Sequence, residues 1–173
     1  AEPLQPASPH LVLTSQISIN AFPTYLNYRF RVAHQLKAGT LATIRWEVPQ
    51  NFHYRKVSSG NILQTREFLE GNQRILLFDL EQSIDVESLP FVIDAEFVVP
   101  LSVEDEDEIR VEIPQLYHYK IENQTFSETE ESLATVGIWS PPELPLTILE
   151  VPTQGLRTIT ADEFLSLWPE DAS

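Results

Sequence analysis

The feature that most restricts the fold is a side-chain period of two, carried by short segments that end at proline or at turn residues. Leu26, Tyr28, Phe30 and Val32 alternate with Asn27, Arg29 and Arg31. Ala42, Ile44, Trp46 and Val48 alternate with Thr43, Arg45 and Glu47, and Pro49 follows. Between Pro90 and Pro100, Phe91, Ile93, Ala95, Phe97 and Val99 are set against Asp94 and Glu96. Successive side chains of an extended strand point to opposite faces, so each segment reads as a strand with one face on a core. Leu11, Leu13, Ile17 and Ile19 follow the same rule. Further strands are expected at 52–57, 62–69, 74–80, 109–113, 116–121, 133–139 and 146–151, and the polar stretch 122–132 reads as a loop. Turn clusters fall at Lys37-Ala38-Gly39, Ser58-Ser59-Gly60-Asn61 and Glu70-Gly71-Asn72. Many short strands with frequent proline predict an all-β chain, an immunoglobulin-like antiparallel β-sandwich.

One helix is expected, and it is short. Thr160 is an N-cap with Glu163 three positions on, a capping box, and Ile159 and Phe164 are spaced as a hydrophobic staple. Phe164, Leu167 and Trp168 then share one face before Pro169 stops the pattern. So short a helix is not stable alone, so these three residues form a docking face for the sandwich, a neighbouring domain or a partner. The chain therefore divides into a proline-rich lead-in or linker end at 1–10, a β-sandwich domain at 11–151, and a connector with the helix at 152–173. No methionine occurs, even at position 1, which reads as a processed or excised segment. Ala1-Glu2-Pro3 fits either the residue run after a removed signal peptide or a boundary within a longer protein.

Charge narrows the partners. The formal net charge is -15. Residues 1–80 hold eight Lys/Arg against five Asp/Glu, a net of +3, and residues 81–173 hold three against twenty-one, a net of -18. Nucleic acid and anionic membranes need clustered cations, so neither is expected as a partner of the bulk surface. Apolar runs are too short for membrane insertion. With no cysteine, disulfides, thiolate metal sites and cysteine nucleophiles are excluded.

Motifs for catalysis or cofactors are not evident. His10, His34, His53 and His118 stand apart without ligand spacing, and the five glycines are too scattered for a phosphate loop. Neither a metal nor a cofactor is expected. The acidic run Glu104–Glu108 has carboxylates for a hard cation but no EF-hand spacing, and reads as a solvated hairpin tip. Ser102 and Ser127 each have an acid three positions on, a weak pattern for an acid-directed kinase. Asn123-Gln124-Thr125 is a glycosylation sequon with meaning only in a secreted eukaryotic protein.

Two stretches join aromatic and basic residues: Phe52-His53-Tyr54-Arg55-Lys56 and Tyr117-His118-Tyr119-Lys120. Period two puts Phe52, Tyr54 and Lys56 on one side, and Tyr117 and Tyr119 on one side. Phe52, Tyr54, Lys56, Tyr117, Tyr119 and Lys120 are the candidate dock for an acidic-aromatic peptide, since rings bury area at low entropic cost and cations steer approach. Ordinary cross-strand packing with extended basic side chains is the structural alternative.

Leu146–Val151, the connector with Gly155, and Asp162-Glu163-Phe164-Leu165-Ser166-Leu167-Trp168-Pro169 resemble the junction between sandwich and platform subdomains in the appendage of clathrin-adaptor large chains. Leu26–Val32, Leu41–Val48 and Asn51-Phe52 are loosely similar to that family's early strand pair and following turn. The acidic stretch 81–131 departs from the family, and the chain stops where a platform would start. The resemblance implies a non-catalytic module that recruits accessory proteins through short peptides in vesicle trafficking, with a protein or peptide ligand and a neighbouring domain at the C-terminus. It also implies a cytoplasmic setting, membrane-associated through partners. The competing reading is a secreted or cell-surface sandwich for adhesion or carbohydrate binding, which exposed Trp46 or Trp139 would favour. An enzyme ranks last, because no nucleophile and base share a recognisable setting.

Overall fold

A computed structural model describes residues 9–101, 121–122, 125–126, 128–142, 162–163 and 166. Ten strands carry almost all of them: β1 (His10–Ala21), β2 (Tyr25–Ala38), β3 (Leu41–Pro49), β4 (His53–Val57), β5 (Ile62–Glu70), β6 (Gln73–Ile84), β7 (Phe91–Pro100), β8 (Ile121–Glu122), β9 (Thr125–Phe126) and β10 (Glu128–Trp139). One sheet has the order β10-β1-β2-β7-β4 and the other β3-β6-β5, with β8 and β9 forming a separate two-stranded ladder. The chain is all-β and sandwich-like.

The period-two segments form the strands they predict. Every second side chain of β1 and β2 is buried, from Leu11 to Ala21 and from Leu26 to Leu36. Ile44, Trp46 and Val48 of β3 and Leu76 and Phe78 of β6 meet them from the other sheet. Aromatic rings fill the core: Phe30 packs edge-on against Trp46 of the other sheet at 6.2 Å and against Phe97 of its own at 5.3 Å, and Trp46 packs against Phe78 at 4.9 Å. Burying each such ring stabilises the fold by roughly 1.5–3 kcal/mol. Replacing one by alanine would cost more, about 3–5 kcal/mol, through the cavity left behind.

Three details differ from the sequence expectation. β10 runs parallel to β1, from His10 opposite Glu128 to Asn20 opposite Trp139, so the five-stranded sheet is mixed and not purely antiparallel. In the stretch 122–132, expected as loop, Glu122 pairs with Thr125 in the β8–β9 ladder and residues 128–132 belong to β10, because an edge strand can be held by backbone bonds to β1 without apolar side chains of its own. Leu26–Val32 and Leu41–Val48 lie in opposite sheets, facing each other across the core and sharing no ladder.

The turns predicted at 58–61 and 70–72 hold, whereas at 37–39 strand β2 runs on through Ala38 and only Gly39 lies in the turn. Gly71 adopts φ 60° between β5 and β6, a left-handed backbone that glycine takes without strain, and Asn61 at φ 68° ends the Ser58–Asn61 cluster. Of the expected helix, Asp162, Glu163 and Ser166 are helical, and the Ser166 Oγ donates to the Glu163 carbonyl at 2.7 Å. Phe164, Leu167 and Trp168, with their docking face, lie outside the described residues, as do strands expected at 109–113 and 146–151.

Candidate functional site

Tyr117, Tyr119 and Lys120 also lie outside the described residues, so the proposed dock can be followed at β4 alone. There the three residues separate. Phe52 is fully buried, with its ring 4.6 Å from Tyr28 and 6.3 Å from Phe97. Its surface role is corrected to a core role. Tyr54 is half-buried, packs edge-on against Phe97 at 5.9 Å, and hydrogen-bonds Thr65 of β5. Burial raises the Tyr54 phenol above its usual range, and the bond to Thr65 partly offsets this. Tyr54 thus ties the β4 edge of one sheet to the β5 edge of the other.

Lys56 does not share their face. Tyr54 stands opposite Phe97 and Lys56 opposite Glu96, leaving Arg55 as an extra residue on β4. This bulge resets the alternation, so Val57 turns toward the core while Arg55 and Lys56 both face solvent. The Lys56 side chain is 68% exposed and reaches Glu96 at 3.8 Å. Arg55 is exposed and has no ion pair among the described residues. His53 is exposed as well, giving β4 an outward row of His53, Arg55 and Lys56.

Strand β5, at the edge of the other sheet, carries exposed apolar side chains that the period-two pattern does not single out. Leu63 is 69% exposed, Leu69 52% and Phe68 41%. The available signal was the adjacent pair Phe68-Leu69, since two successive apolar residues in a strand cannot both face one core. The charged residues of β5 are engaged with its own sheet: Arg66 with Asp79 at 2.8 Å, Glu67 with Arg74 at 3.0 Å, Glu70 with Arg45 at 3.3 Å. A shallow basin of about 480 Å³ adjoins β4, lined by Pro49, Gln50, Asn51, His53, Asn72 and Arg74. Arg74 donates to the Gln50 carbonyl at 3.0 Å, which joins the two turns that wall the basin.

Elsewhere, titratable groups are committed to structure. Asp79 accepts from both Arg66 nitrogens at 2.8 Å, from Gln64 at 2.7 Å and from Thr43 at 2.9 Å, and these donors hold its carboxyl down at about 2. Asp94 accepts two bonds from Arg29, at 3.0 and 3.2 Å, and lies 3.6 Å from Arg31. Asp79 is therefore a poor base, because protonation would break the bonds that hold it. His34 is buried between layers: its Nδ1–H donates to the Phe91 carbonyl at 2.8 Å, and its Nε2 accepts from the Trp46 indole at 3.0 Å. Trp46 is therefore a core residue and gives a sugar no face to stack on, while Trp139 is half-buried. No group of three or more His, Asp and Glu converges as a metal site among the described residues. Nor is any helix among them long and apolar enough to cross a membrane.

No family model and no curated protein matches the chain. Solved structures similar to part of it include an M1 zinc metallopeptidase from Deinococcus radiodurans, with TM-score 0.42 and 12% identity over 78% of this chain and 32% of that one. A two-domain M1 zinc metallopeptidase mutant bound to L-arginine gives TM-score 0.42 and 13% identity over 79% and 33%. A Deinococcus radiodurans mutant with a Tyr-Ser-Ala substrate gives 0.37 and 10% over 57% and 21%. The chain thus spans a third or less of the length of these proteins.

Proposed function

We propose that the chain is a non-catalytic interaction module whose β4–β5 side binds a peptide of a partner protein. The observation that supports this is the exposed pair of cations Arg55 and Lys56 on β4, with His53 exposed on the same strand, together with exposed Leu63, Phe68 and Leu69 on β5, the strand that Tyr54 of β4 meets at Thr65. Exposed apolar side chains and exposed cations on two such strands suit a ligand with acidic and apolar residues, the cations steering approach and the apolar groups supplying contact area. Recruitment of accessory proteins through short linear motifs, as the appendage resemblance implies, is the setting in which we place this activity. The test is fluorescence anisotropy of a labelled peptide, Glu-Phe-Glu-Leu-Glu-Phe-Glu, titrated with the chain and with Arg55→Glu/Lys56→Glu. The reading expects saturable binding that the double variant loses by about tenfold or more. Equal binding by both chains, or none by either, would sink it.

A further inference from the structure

We infer that a second copy of this chain is a partner, the turn between β6 and β7 of each copy docking on Arg55 and Lys56 of the other in a two-fold pair. This rests on the peptide-binding reading and names a folded ligand for the same cations. The turn has the acidic and apolar chemistry that reading asks for. Asp85-Val86-Glu87-Ser88-Leu89 lies within a stretch, 75–109, that holds no Lys or Arg. Leu89 is 87% exposed, Asp85, Val86 and Glu87 are exposed beside it, and Glu87 has no ion pair among the described residues. The turn is also held in shape. The Asp85 Oδ1 accepts from the N–H groups of Glu87 at 2.9 Å and Ser88 at 3.1 Å, and the Asp85 N–H donates to the Ser88 Oγ at 3.0 Å. The Gln35 amide of β2 donates to the Ser88 carbonyl at 3.4 Å. A tip already ordered by the fold loses little freedom on docking.

Strand β7 joins this turn to the cations. Val92 stands opposite Ala33 and Glu96 opposite Arg29, so both point to the outer face of the five-stranded sheet. Exposed Val92 continues the apolar tip at the start of β7. Lys56 stands opposite Glu96, four residues farther along, roughly 13 Å away. Between them the chain after β4 is fastened to β7: the Ser58 N–H donates to the Asp94 carbonyl at 2.7 Å and the Ser59 hydroxyl to the Val92 carbonyl at 3.1 Å. Arg29 and Arg31 share Asp94, and Lys56 reaches Glu96, which leaves Arg55 as an exposed cation without an ion pair among the described residues. Within one chain Glu87 and Arg55 form no ion pair, and the bonds that pin the turn keep it from swinging over to β4. A two-fold axis across this surface lays the acidic, apolar end of one copy on the cationic end of the other, and the reverse. Two chains of net charge -15 repel at long range, but at physiological salt that repulsion is screened beyond about 8 Å, so contact between opposite charges decides.

The experiment is sedimentation of the full chain over a concentration series at physiological salt, beside Glu87→Lys, Arg55→Glu/Lys56→Glu, and an equimolar mixture of these two variants. The parent chain should pair reversibly, and each variant alone should pair about tenfold or more weakly, because both contacts then oppose like charges. The mixture should regain pairing, since one contact is native and the other has its charges exchanged, and that recovery also shows that both variants fold. Leu89→Ser should weaken the pair through the apolar tip. A parent chain that stays monomeric to about 1 mM, a pair that neither charge variant weakens, or a mixture as weak as its parts would overturn the inference. If the chain is monomeric while the peptide above binds and Arg55→Glu/Lys56→Glu loses it, the inference falls and the peptide-binding reading stands. If the chain is monomeric and the peptide does not bind, both fall.

Discussion

At the scale of one residue, His34 makes the clearest physical prediction. Burial pushes its imidazole down to about 4, with the Phe91 carbonyl bond opposing part of the shift. The neutral ring has its proton on Nδ1, facing Phe91, so a second proton on Nε2 would oppose the Trp46 N–H across 3.0 Å. The unfolded chain takes up that proton near 6.5 and the folded chain only near 4. Stability from this group is therefore complete above 6.5 and is lost as pH falls toward 4, by about 3 kcal/mol in all. Urea unfolding followed by tryptophan fluorescence should show this slope between pH 7 and 4. His34→Gln, whose amide can meet both partners without titrating, should flatten that part of the profile. An unchanged slope in the variant would assign the acid sensitivity to other groups.

At the scale of the element, Ser59 stands in for a missing stretch of β4. Its hydroxyl satisfies both an N–H and a carbonyl of β7. Ser59→Ala should destabilise the fold by about 1 kcal/mol and speed amide exchange at Asp94, as backbone groups lose their partner. Exchange at Asp94 like that of the parent chain would contradict this role. Strand β4 also marks where sequence reasoning reached its limit. Alternation at Phe52, Tyr54 and Lys56 is legible, but a bulge adds a residue without changing composition, so the reset at Arg55 is not. Phe52 and Tyr54 accordingly went to the core and to the junction with β5, leaving Lys56 with Arg55 outside. The long alternating strands β1, β2, β3 and β7 were readable because burial on one face enforces their register. The 128–132 segment of β10 was not, because parallel pairing at an edge is specified by its neighbour β1 and leaves little trace in the segment itself.

At the scale of the molecule, charge is divided along the chain, and the described strands that carry the candidate surface come from the half with net +3. The exposed cations Arg55 and Lys56 on a chain of net charge -15 give direction to association, since the bulk repels an acidic ligand and β4 attracts it. Neutral polar ligands would feel no such steering, which separates the peptide reading from the carbohydrate one. Binding strength should therefore fall as salt is raised. The most direct single measurement is a ¹⁵N–¹H spectrum of the labelled chain during titration with Glu-Phe-Glu-Leu-Glu-Phe-Glu. The account predicts shifts gathered on His53–Lys56 and Leu63–Leu69, with the outward faces of β1 and β2 unmoved. Shifts centred on β1 and β2, or a spectrum the peptide leaves unchanged, would contradict it.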